Sequence, residues 1–153
     1  MVEGERNYWL LIEHLENWHV DERNGFTFFG LPNRQLKMAN RVKIGDLLLF
    51  YIADGVSSIA DVREAVENGT HDIDWNIGYD EPYRICVRTR PHISLEQGNW
   101  LPIKDYLPHL SLTKEAFRKN PKRWGYIFQH SMRKLGKEDG CFLVDELRKR
   151  SEL

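Results

Sequence analysis

The chain has 153 residues and a mass of 18.1 kDa, with 41% apolar and 29% charged side chains and a net charge of −1. That balance excludes wholesale disorder, and no run approaches the roughly 20 apolar residues needed to cross a bilayer. The charge is uneven: residues 1–113 carry 11 basic and 17 acidic groups, residues 114–150 carry 11 basic and 5 acidic, a skew that suits either an anion-binding face or a solvated basic helix.

Tyr8-Trp9-Leu10-Leu11-Ile12 reads as a buried strand. Glu13 to Asn24, polar with Leu15, Trp18 and Val20 spaced through it, reads as a helix ending at Asn24-Gly25. Phe26 to Pro32 reads as an apolar loop broken by Gly30 and Pro32, followed by a short helix from Arg34 to Asn40. Val42-Lys43-Ile44-Gly45-Asp46 is a turn before the longest apolar run, Leu47 to Ala53. Asp54-Gly55 is a hairpin signal, and Val56 to Val66 alternates as its antiparallel partner.

Glu67 to Glu81 is an acidic loop containing Trp75 and Tyr79; Pro82-Tyr83 then opens a strand with Arg84, Arg88 and Arg90 on one side. Pro91 is expected to stop pairing there or confine the next residues to an edge. Beyond it the chain reads as short helices and loops, with Thr113 as a cap for a turn running to Lys119. A terminal helix is expected over Lys137 to Arg150, with Cys141, Phe142, Val144 and Leu147 facing inward. The whole, residues 1–153, is expected to be one α+β domain. The polar start of the chain has no apolar core like that of a signal peptide. A cytoplasmic location with reduced Cys86 and Cys141 is therefore expected.

Most catalytic signatures are missing. No phosphate-cradling Gly-Lys-Ser/Thr loop, G-x-G-x-x-G or G-x-S-x-G occurs. His14-Leu15-Glu16 matches half of a nucleobase deaminase signature, but the P-C-x-x-C half that would hold the metal is absent. His71-Asp72-Ile73-Asp74 offers ligand types for a divalent ion, but a solvated acidic loop is the favoured reading. No catalytic residue, metal or cofactor is assigned.

Three segments stand in a telling order: Glu13-His14-Leu15-Glu16-Asn17-Trp18 after the first strand; Phe28-Phe29-Gly30-Leu31-Pro32 followed by Val42-Lys43-Ile44-Gly45-Asp46; and Pro121-Lys122-Arg123-Trp124, then Phe128 and Ser131-Met132-Arg133-Lys134-Leu135, before the last helix. This series, from Tyr8 to about Leu147, resembles the EVE domain family, whose pattern runs Tyr-Trp, Glu-Asn-Trp, Trp-Gly-Val-Pro, Val-Lys-x-Gly-Asp, Arg-Trp and Met-Arg. The resemblance implies a PUA-like fold, a twisted mixed β-barrel flanked by helices, related to YTH domains. It also implies a non-enzymatic module that binds DNA or RNA and holds a flipped, modified base in an aromatic pocket.

On that resemblance the base pocket comprises Asn17, Trp18, Phe29, Gly30, Leu31, Pro32 and Trp75. Phe29 stands where the family has Trp and would form one wall, Trp75 the other, and Asn17 would contact the base. Arg34, Lys37, Lys122 and Arg123 would contact phosphates. The partner is then a nucleic acid carrying a modified base, not a membrane. Plainer readings exist for each position: Phe29 and Trp18 suit a core, Trp75 a plug for its own loop, and Asn17 a turn or helix cap. The competing classes are an RNA- or nucleotide-processing enzyme of the PUA-like superfamily and a small-molecule or protein-interaction module.

Overall fold

Two segments apolar at nearly every position, β1 (Tyr8–Glu13) and β3 (Leu47–Ile52), lie parallel at the centre of the sheet, Tyr8 opposite Leu47 and Ile12 opposite Tyr51. Strands covered on both faces need apolar residues without alternation, which is what these two carry. The structure is a computed structural model describing residues 6–53, 55–73, 85–119, 122 and 132–152.

Around the central pair the described residues add β2 (Phe28–Leu31), β4 (Ser58–Ala65), β5 (His71–Asp72), β6 (Ile85–Ser94), β7 (Leu101–Pro102) and β8 (Met132–Leu135). The order across the curled, mixed sheet is β2-β6-β4-β3-β1-β8, with β5 also on β6 and β7 also on β4. Helices α1 (Leu15–Arg23), α2 (Leu36–Ala39), α3 (Ser111–Lys119) and α4 (Lys137–Ser151) flank it, with 3-10 turns at Asn33–Gln35, Gln97–Asn99 and Ile103–His109. This is the α+β half-barrel with flanking helices that was expected. No helix among the described residues is long and apolar enough to cross a membrane.

Alternate side chains of the central strands build two cores. Tyr8, Leu10, Leu47, Leu49 and Tyr51 pack with Trp18, Trp100, Val144 and Leu147. Trp9, Leu11, Leu48 and Phe50 pack with Phe29, Leu31, Ala39, Val42 and Met132. Helix α4 approaches β1 closely enough that a Cβ on Gly140 would stand 2.2 Å from Tyr8 Cγ. The glycine that weakens the first turn of α4 therefore lets the helix dock on the sheet.

Several local expectations are corrected. The segment from Phe26 to Pro32 is not all loop, because Phe28–Leu31 pairs antiparallel with β6. Strand β4 is buried on both faces apart from the half-buried Glu64. β6 runs through Pro91, which is exposed and faces Arg63 where the register shifts, so the missing N–H falls at an irregularity. Thr113 lies inside α3, and its hydroxyl donates to the Leu107 carbonyl. The Val-Lys-Ile-Gly-Asp motif proves structural: Gly45 turns at φ 89°. Buried Asp46 accepts from Asn7 N at 3.1 Å, Lys43 N at 2.9 Å and the Trp9 indole at 3.0 Å.

Candidate nucleic-acid interface

Two of the aromatic residues singled out in the sequence, Trp18 and Phe29, pack against rings that enclose a buried cation. Arg63 is fully buried, its guanidinium carbon 3.5 Å from the Phe50 ring centroid and 4.7 Å from that of Phe26. Phe50 meets Phe29 edge to face at 5.0 Å, and Phe26 meets Trp18 at 5.4 Å. Arg63 donates to Asp61 at 2.7 Å and to Asp21 at 2.8 Å, while the Trp18 indole donates to Asp61 at 2.9 Å. Burial works against the Arg63 cation, and Asp61, Asp21 and Glu13 outweigh it.

Glu13 completes the cluster, with Oε1 3.8 Å from Arg63. Burial, then the charge and hydrogen bond of Asp21, push its carboxyl well above the usual range near 4.5. Folding therefore takes up a proton at Glu13, and the stability tied to it is lost as pH rises through the folded-state value. We expect Glu13→Gln to flatten that decline in denaturation midpoints measured from acid to neutral pH. Identical slopes in variant and wild type would show that Glu13 is not its source.

The described site residues fall in three places. Asn17 and Trp18 are buried on α1, Trp18 only 3% exposed. Phe29, 2% exposed, and Leu31 face the second core. Gly30 is half-buried on the opposite face of β2, and Pro32 is half-buried just beyond the strand. Arg34, Lys37 and Lys122 are exposed. Trp75 and Arg123 lie outside the described residues.

Strand alternation makes Phe28, which belongs to the sequence pattern but not to the pocket assigned on it, the ring that shares a face with Gly30. Phe28 is half-buried and sits opposite Arg88, while Gly30 sits opposite Cys86 and Cys86 in turn opposite His71. His71 Nε2 is 2.5 Å from Glu67, and Arg88 is 3.8 Å from the same carboxylate. This face thus joins an aromatic ring and a glycine to a polar edge of Glu67, His71 and Arg88. Burial pushes the Cys86 thiol above its ordinary value, which disfavours a nucleophilic thiolate. Among the described residues no group of three His, Cys, Asp or Glu side chains could hold a metal ion.

The family model of the EVE domain matches residues 7–145. The chain belongs to the EVE domain family. This EVE domain is 32% identical over 146 residues to the UPF0310 protein PYRAB08750 of Pyrococcus abyssi, covering 87% of this chain and 94% of that protein. Its fold matches that of the Mmi1 YTH domain solved in complex with RNA: TM-score 0.62, 10% identity, 94% of this chain and 79% of that one. It also matches human THYN1, solved in complex with DNA containing 5-methylcytosine: TM-score 0.59, 16% identity, 92% and 97% covered. In this EVE domain the face bearing Phe28 was legible from the period of two in Phe28-Phe29-Gly30-Leu31, once those residues are read as a strand.

Proposed function

We propose that this EVE domain is a non-enzymatic nucleic-acid-binding module that accepts one flipped, modified base against the outer face of β2. The observation that carries the reading is the pairing of half-buried Phe28 with Gly30 on one strand face, bordered by Arg88, Glu67 and His71. It gains support from folds shared with proteins solved on RNA and on 5-methylcytosine DNA.

Phe28 supplies the stacking surface, and Gly30 lets the base approach the backbone. Phe29 and Leu31 anchor the strand from the core, and Pro32 shapes the lip. The family resemblance implies Asn17 at the base edge beside Trp18 and Trp75 as the opposing wall; Asn17 and Trp18 are buried on α1, and Trp75 lies outside the described residues. Arg34, Lys37, Lys122 and Arg123 hold phosphates. A base leaves its stack to be read, and each base–aromatic contact then contributes about 1–3 kcal/mol. A methyl group adds only about 0.8 kcal/mol, so modification is read as an increment on stacking.

The test is fluorescence anisotropy with paired oligonucleotides, unmodified or carrying 5-methylcytosine, 5-hydroxymethylcytosine or N6-methyladenine, at low salt. At least one modified probe is expected to bind more tightly than its unmodified twin. Phe28→Ala is expected to weaken that probe by roughly 5- to 150-fold, the equivalent of one lost stack. Equal binding within every pair, or a Phe28→Ala protein indistinguishable from wild type, would overturn the reading.

A further inference from the structure

A second cationic surface leads away from Phe28 along the same sheet. The exposed positions of β6 are Arg88, Arg90, Pro91, His92 and Ser94. Arg88 and Arg90 share one face, and at the register shift Arg63 faces Pro91 while Val62 faces Ile93. His92 is thus the extra residue of a bulge, and it too remains exposed. From α4, Arg148 reaches across to stand 3.4 Å from His92 Nε2. Arg6 joins through Glu64, which it meets at 3.5 Å while Arg90 Nε donates to the same carboxylate at 2.7 Å.

The surrounding charges leave His92 reluctant to protonate: burial, Arg148, Arg6 and Arg90 oppose its cation and Glu64 alone favours it. Glu64 is mostly buried, whereas the side chains of Arg90, Arg88 and Arg148 are 68%, 53% and 50% exposed. Exposed arginine–carboxylate pairs such as Arg88–Glu67 and Arg148–Asp145 contribute little to stability, and Glu64 keeps Arg6 as a partner, so these guanidinium groups can turn to a stronger anion at small cost to the fold. A phosphate offers two oxygens that accept together from the planar fork of a guanidinium.

We propose that Arg88, Arg90, His92 and Arg148, with Arg6 at their flank, form a track for the phosphate backbone of the nucleic acid, running from Phe28 toward α4. The four steps from Arg88 to His92 cover roughly 13 Å, the axial rise of about four base pairs. The track rests on the proposed function only for the class of its partner. It does not require a modified base.

The test uses an unmodified fluorescent DNA duplex and measures log affinity against log salt. Neutralising Arg90, His92 and Arg148 together with glutamine is expected to weaken binding at low salt by about tenfold or more and to reduce the salt slope by about 2. The charge-keeping pair Arg90→Lys and Arg148→Lys is expected to hold the slope, which separates lost charge from damaged folding. Lys104→Gln, exposed in the 3-10 turn that begins beside Ser57 at the other end of β4, is expected to leave the track intact. A triple variant with the wild-type slope, or a lysine pair that falls as far as the glutamines, would overturn the track. Preference for modified bases is read separately. A domain without that preference but with a variant-sensitive slope loses the pocket and keeps the track, and the reverse result keeps the pocket and loses the track.

Discussion

Replacing Arg63 with methionine is expected to remove about 3–5 kcal/mol of stability, the usual consequence of leaving buried charges without their partner. Asp61 and Asp21 both bond its guanidinium and are at most 1% exposed. Methionine fills much of the space but leaves two carboxylates facing each other in the interior. It also removes the cation held against Phe50 and Phe26. For a chain of this size the loss corresponds to a fall in Tm of roughly 6–20 °C. Adding Asp21→Asn and Asp61→Asn to Arg63→Met is expected to recover a large part of it, because the penalty lies in uncompensated charge rather than lost volume. Urea denaturation of the three proteins checks this. A single variant within about 1 kcal/mol of wild type would mean that water reaches the cluster, contrary to its burial.

Phe29→Ala is expected to cost about 3–5 kcal/mol, as large-to-small changes in close-packed cores do. Its ring fills the second core and meets Phe50 edge to face. Phe28→Ala, one residue earlier and on the other face of β2, is expected to cost a fraction of that while affecting nucleic-acid binding. Denaturation midpoints and anisotropy on the same two proteins separate the roles of the adjacent rings. If Phe29→Ala folded as well as wild type and lost binding, the ring would belong to the binding face, and the assignment of faces along β2 would be reversed.

Elements with continuous apolar runs were readable from the chain alone. β1 and β3 needed no partner to be recognised, and α4 carried its inward face in Val144 and Leu147. β2 was obscured for a physical reason: four residues with a glycine inside give little pattern, and its partner β6 lies more than 50 residues downstream. The alternation read over Val56 to Val66 does not show that both faces of β4 are covered, since Asp61 and Arg63 neutralise each other inside the protein. Such pairing depends on Asp21, about 40 residues away, which no local pattern reveals. Pro91 looked like a terminator because only the β6 register shows that it meets a bulge.

The Phe-Gly-Leu-Pro segment lies on β2, the strand on which the proposed site is built, but a residue chosen by its place in a motif carries no information about which way it faces. The alternation of β2 supplies that, turning Phe29 inward and Phe28 outward. The buried carboxylates and Arg63 account for the neighbourhood of Trp18, whose indole N–H is spent on Asp61.

The central claim is that a modified base sits against the outer face of β2. The most direct test is a titration of isotopically labelled protein, monitored by amide NMR, with matched duplexes that differ only in 5-methylcytosine and with matched RNAs that differ only in N6-methyladenine. One modified probe is predicted to shift the amides of Phe28 and Gly30 beyond anything its unmodified twin produces, while the amides along β6 respond to both. Identical shifts at Phe28 and Gly30 from modified and unmodified partners in each pair would contradict it.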